Sequence, residues 1–153
     1  MTQIPDGRQR LAQNLGYAGI LPFVLTLAMF WGTQLWQVWS LHAFLFYAAI
    51  ILSFLGGIHW GLALRDSQNP LSPDTLQRLI LSMAPSLLAW PALLLDEEQG
   101  LWVLAIGFVL TWWYERLPAS RKRVPAWYLQ LRTRLTLVVL ACHLGMLMRF
   151  WIV

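Results

Sequence analysis

Between Arg10 and Arg65 the chain contains no Asp, Glu, Lys or Arg. Soluble domains are about a quarter charged; over all 153 residues the share here is 12%, and mean hydropathy is +0.56. Cysteine is scarce too. The single Cys142 excludes an internal disulfide, and no Cys/His spacing suits zinc; a packing role is expected for it. The chain has no H-E-x-x-H, no G-x-S-x-G and no phosphate-binding glycine loop, so no catalytic residues are assigned and a non-enzymatic protein is favoured. Its seven carboxylates are expected to lie outside the apolar segments, which argues against a proton- or sodium-coupled carrier.

What is present points to lipid as solvent. The chain is 58% hydrophobic and carries ten Trp, a residue that gathers at membrane interfaces. A crossing helix needs about 20 mostly apolar residues. The hydropathy pattern predicts an all-α integral membrane bundle: one helical domain over 1–153, with five transmembrane helices at about 14–31, 41–64, 76–95, 100–114 and 133–152. Pro22 is expected to bend the first helix, and Pro85 and Pro91 to kink the third. Ser72-Pro73-Asp74 offers an N-cap followed by proline at the first helical position. Asp96, Glu97 and Glu98 precede the fourth helix, where acids suit a helix N-terminus. The fifth is expected to begin in the interface near Pro125. Asp6, Arg8 and Arg10 before an apolar stretch resemble a signal peptide, but no small-x-small cleavage pattern follows, so the first helix is read as retained.

With five spans, every Lys and Arg except Arg149 falls on one side of the membrane. The positive-inside rule then places the N-terminus in the cytoplasm and the C-terminus opposite. The net charge of +4 is explained by these helix-end residues, and nucleic acid is not an expected partner; membrane lipid is. The Arg121-Lys122-Arg123 run suits anionic headgroups, and Arg149 suits snorkelling. An odd span count also argues against paired inverted halves.

Two features carry functional expectations. Ala49, Ser53, Gly57 and Gly61 recur every four residues, a small-residue stripe that lets helices approach closely in lipid, within the bundle or against a partner. His59 lies six residues before Arg65, about 9 Å inside the boundary, and His143 nine residues after Arg134, about 13 Å inside it. The two imidazoles are therefore placed at similar depths, where a pair can hold a haem or metal or hydrogen-bond a quinone. His42 is expected at the opposite face. Arg65-Asp66 and Glu115-Arg116 are read as ion pairs on the cytoplasmic rim, with an active site there as the alternative.

Leu15-Gly16-Tyr17-Ala18-Gly19-Ile20-Leu21-Pro22-Phe23, Gly56-Gly57-Ile58-His59-Trp60-Gly61, the Ser82/Pro85/Trp90 pattern and Trp127-Tyr128-x-x-Leu131-Arg132 together resemble one family. It is the family of small multi-pass membrane proteins of unknown function that includes eukaryotic transmembrane protein 69. The resemblance covers nearly the whole chain and implies an inner-membrane protein; without a mitochondrial leader, a bacterial plasma membrane is expected. It implies no reaction, and it singles out His59, Trp60 and Arg132. Three functions follow as expectations. The first is an assembly or stabilising partner of a membrane complex or a homo-oligomer, acting through the small-residue face. The second is a protein that binds a cofactor or lipophile through His59, Trp60, His143 and Arg132. The third is a small uncoupled transporter.

Overall fold

The computed structural model describes residues 7–65, 73–122 and 124–152. Among them every regular element is a helix: α1 Gly7–Ala18, α2 Leu21–Gly32, a short 3₁₀ turn Gln34–Trp36, α3 Gln37–Arg65, α4 Pro73–Ala92, α5 Glu97–Arg116, the single turn α6 Pro118–Arg121, and α7 Ala126–Ile152. Among the described residues three stretches are long and apolar enough to cross a membrane: Gly7–Gly32, Gln34–Arg65 and Ala126–Ile152. The helices α4 and α5 have 20 residues each, about 30 Å at 1.5 Å per residue.

The first expected helix starts earlier than its apolar run and is split. Its break falls at Gly19–Ile20, because Pro22 cannot donate to the preceding turn and instead sits in the first turn of α2. Tyr47 on α3 fastens the break, its hydroxyl donating to the Gly19 carbonyl at 2.9 Å. By contrast α4 runs through Pro85 and Pro91 without interruption. The expected Ser72 cap, the Asp66 partner of Arg65, Asp6 and Arg123 lie outside the described residues.

Helix α3 is central, packing on α2, α4 and α5, while α7 packs on α5, α2 and α1. The buried positions follow helical spacing. On α3 they include Phe44, Ala48, Leu52 and Leu55; on α5, Leu101, Leu104, Phe108 and Thr111; on α7, Thr136, Val139, His143 and Met146. Spacings of three and four keep each set on one face. The aromatic centre is Phe23, with Phe44 and Phe108 edge-on at ring distances of 5.3 and 6.3 Å. Large apolar side chains such as Leu25, Ile50, Phe54, Ile80, Leu87 and Leu137 point outward, the surface a bundle presents to lipid.

Close approach depends on glycines outside the expected stripe. A Cβ on Gly56 would come within 2.5 Å of the Ser82 carbonyl oxygen, one turn before Pro85. One on Gly100 would come within 2.8 Å of the Ala92 carbonyl oxygen. In the expected stripe Ala49 is buried, but Gly57 and Gly61 are exposed, with no other described atom within 4 Å of an added Cβ. That half of the stripe makes no helix contact among the described residues.

Candidate functional site

One expectation about charge is overturned. Glu115 lies inside the bundle and is 1% exposed. It continues the buried α5 series Leu101, Leu104, Phe108, Thr111, so helical geometry turns it inward although it is only one residue from the helix end. Its partner is also not the neighbouring Arg116. Arg132, 6% exposed on α7, donates from Nε to both carboxylate oxygens at 3.0 and 2.9 Å. Arg116 turns the other way, stacking its guanidinium 4.4 Å from the Trp112 ring and hydrogen-bonding the Thr133 hydroxyl.

His59 completes the cluster from α3. Its Nε2 is 3.3 Å from Glu115 Oε1, at an angle that makes no hydrogen bond, and its side chain is 11% exposed. The Tyr114 ring stands edge-on to it at 5.3 Å. Three helices thus converge on one carboxylate: α3 brings an imidazole, α7 a guanidinium, and α5 the carboxylate itself. With His59 neutral the cluster has no net charge. That limits its cost in a low-dielectric interior, where an unpaired charge is strongly disfavoured.

Several polar atoms at this level remain unsatisfied. Arg132 Nη2 and the Thr136 hydroxyl are buried without a hydrogen-bond partner among the described residues, while His59 Nε2 and the Tyr128 hydroxyl, also buried, both face Glu115 without an aligned hydrogen bond. The great majority of buried side-chain polar atoms do have partners, so this concentration at one place is unusual. Beside a small pocket of about 20 Å³ against His59 and Glu115, two wider clefts border the cluster. The larger, about 410 Å³, lies between the α1–α2 break, α3 and α7, and its lining includes Arg132, Tyr128 and Thr136 among apolar side chains such as Ile20, Phe54 and Leu135. The smaller, about 220 Å³, lies between α3, α4 and α5 and is reached by His59, with Pro85, Leu88 and Trp113 among its walls.

The two histidines are not a pair. The His143 ring packs on Phe44 at 4.8 Å and on Phe108 at 5.7 Å, and its Nδ1 lies 2.8 Å from the Val139 carbonyl of its own helix. Phe44 and His59 are fifteen positions apart on α3, about 22 Å along the axis. The expected similar depths fail because His59 lies at the level of Glu115 and Arg132, while His143 is eleven residues, about 16 Å, further along α7. A shared haem or metal between these imidazoles has no geometric basis. Among the described residues no group of three His, Cys, Asp or Glu is placed to hold a metal ion. Trp60 is exposed beside His59 and does not join the cluster. His42 lies at the opposite end of the bundle, 3.8 Å from Glu97.

Sequence reasoning therefore reached His59 and Arg132, named Glu115 only as a rim partner of Arg116, and missed Tyr128 and Thr136. The available signal was the three-four spacing. Glu115 extends the apolar stripe of α5, and Arg132 begins that of α7 at Thr136, Val139, His143 and Met146.

A profile of a family of proteins of unknown function, DUF3429, matches residues 8–148. Transmembrane protein 69 of Xenopus tropicalis is 36% identical over 140 residues, covering 89% of this chain and 53% of that protein. Its namesake in Mus musculus is 34% identical over 123 residues, covering 79% of this chain and 49% of the relative. The chain thus spans about half the length of these curated relatives. No solved structure matches.

Proposed function

Since the chain belongs to the DUF3429 family, whose description assigns no activity, we propose from its own residues that it is a transmembrane protein that binds a lipophilic ligand at the His59–Glu115–Arg132 cluster. One observation carries this reading: an ionic cluster buried among apolar helices, bordered by two clefts and holding polar atoms without partners. Ionisable groups inside a membrane bundle are costly and usually mark a working site. Clefts lined mainly by apolar groups with a few convergent polar ones are the common form of a small-molecule site. The proposed setting is a bacterial inner membrane, with five crossings, a cytoplasmic N-terminus and the cluster near the cytoplasmic boundary. The distribution of Lys and Arg supports that orientation.

Organic extraction of the protein, purified in mild detergent, tests the proposal. A small molecule in stoichiometric amount is expected from the wild-type chain and a depleted one from Glu115→Gln. Equal yields from both would sink it.

A second reading, participation in a larger membrane assembly, is favoured by Gly57 and Gly61. They are exposed on α3 with room for another helix backbone. Gly57→Leu or Gly61→Leu is expected to release partners from a mild-detergent extract; an unchanged partner set would refute it.

A further inference from the structure

We propose that the cleft where α5, α6 and α7 meet seats a phosphate group among Arg116, Arg121 and Arg134. The cleft has a volume of about 510 Å³, and its lining includes these three arginines with Leu129, Gln130 and Thr133. It is a different site from the His59–Glu115–Arg132 cluster and does not rest on the ligand-binding reading above. Leu129 and Thr133 occupy another face of α7 from Arg132.

The charge in this cleft is uncompensated. Three guanidiniums line one space, and no acidic side chain among the described residues lines it with them. The neighbouring Glu115 is turned into the bundle and bound to Arg132. Among the described residues none of the three arginines makes an ion pair with a carboxylate. Like charges gathered in one place repel, and an anion between them relieves that repulsion for all three. Of the basic run at 121–123, Arg121 lines the cleft and Lys122 does not, so the site is narrower than the charged surface around it.

Two of the arginines are held rather than left to reach for water. Arg116 lies over the Trp112 ring, 4.4 Å from its centroid, and donates to the Thr133 hydroxyl. Trp112 Nε1 donates to the same hydroxyl at 3.3 Å, and that hydroxyl donates to the Leu129 carbonyl at 2.8 Å. A hydroxyl has one donor and two acceptor sites, so Thr133 is fully used and acts as a positioning residue for Arg116. Arg134 is tied from α1, its Nη1 donating to the Tyr17 hydroxyl at 3.4 Å. A guanidinium carries five N–H donors, so both keep donors for a ligand.

The donor set favours phosphate over carboxylate. Guanidiniums bind either oxyanion through paired N–H groups. The two oxygens of a carboxylate lie in one plane, whereas those of a phosphate point in several directions and can be shared by groups arriving from three elements. Such a phosphate has two sources. One is the headgroup of a membrane lipid, which basic pockets at the ends of membrane helices bind. The other is a soluble phosphate compound.

Native mass spectrometry of the full chain in mild detergent tests the proposal. The probes are dioleoylphosphatidylglycerol, dioleoylglycerol as the same body without phosphate, and inorganic pyrophosphate. A saturable one-to-one adduct with phosphatidylglycerol or pyrophosphate is expected, and the probe that binds identifies the source. It should weaken as ionic strength rises. Arg116→Gln and Arg121→Gln should each weaken it about 5–10-fold, the loss of one charge-assisted hydrogen bond at a partly solvated site. The Arg121 side chain is exposed and has no hydrogen bond or ion pair among the described residues, so its replacement leaves the fold intact. Thr133→Val keeps every charge and should still weaken binding, because it frees Arg116. Lys122→Gln removes an equal charge outside the cleft and should stay within about 2-fold of the wild type. Equal weakening by Lys122→Gln and Arg121→Gln would show that diffuse surface charge is responsible and overturn the proposal. Dioleoylglycerol binding as tightly as phosphatidylglycerol, adducts unchanged in both arginine variants, or no phosphate adduct at all would overturn it too.

Discussion

Removing the Arg132 guanidinium while leaving the carboxylate in place should be among the most damaging single changes available in this chain. Nε of Arg132 and Glu115 Oε2 are 2.9 Å apart. At an effective dielectric of about 20, two unit charges at that separation attract by about 6 kcal/mol. Burying both ions costs several kcal/mol each, so the intact pair is close to neutral for stability. The single variant Arg132→Met keeps the cost of burying Glu115 and loses its partner; His59 at 3.3 Å is the nearest substitute. A loss of about 3–5 kcal/mol is expected, which for a chain of this size lowers the melting temperature by about 6–20 °C. Glu115→Leu should behave alike by stranding the arginine. The double variant Glu115→Leu/Arg132→Met replaces the pair with apolar side chains and should melt within about 4 °C of the wild type or above it. Thermal unfolding of the four proteins in one detergent closes the cycle. If the two single losses add in the double variant, the groups do not stabilise one another and the buried pair is not what the geometry describes.

Other perturbations separate neighbouring parts of the structure. Gly56→Val should cost about 1–3 kcal/mol by forcing α3 from the Ser82 carbonyl, whereas Gly57→Val should stay within about 0.5 kcal/mol; thermal melts that rank them the other way would reverse the assignment of the packing glycine. His143→Phe should melt within a few degrees of the wild type and retain ligand, because the ring it replaces sits among Phe23, Phe44 and Phe108; loss of a bound ligand in this variant would return His143 to the site. For topology, a cysteine-free background with Gln99→Cys should react with an impermeant thiol reagent added outside intact cells, and one with Lys122→Cys should not. The opposite pattern would invert the proposed orientation.

Much of the fold was legible because lipid leaves few alternatives. Charge scarcity, the tryptophans and the helix-end arginines point to an all-α membrane chain, and the helical stretches fall where the apolar runs do. Helix starts were less legible. Residues 7–13 form a helix although their composition is polar, since backbone hydrogen bonding continues past the apolar face. The site was half legible. His59 stood out as an ionisable group inside an apolar run, and Arg132 through family resemblance. Glu115 was hidden by its position near a chain segment rich in charge. Proximity to a helix end says how far a residue lies along the axis, but not which way it faces. Facing is set by the three-four spacing from Phe108 and Thr111. The small-residue stripe was legible in composition but not in direction: the four-residue repeat from Ala49 turns outward at Gly57, while the adjacent Gly56 faces α4.

The most direct test of a ligand-binding ionic cluster compares the wild type with the folded Glu115→Leu/Arg132→Met variant by native mass spectrometry, after gentle extraction from the membrane. The account predicts a discrete non-protein mass on the wild type that is missing from the double variant, although both melt alike. The same mass on both proteins, or none on the wild type, would contradict it.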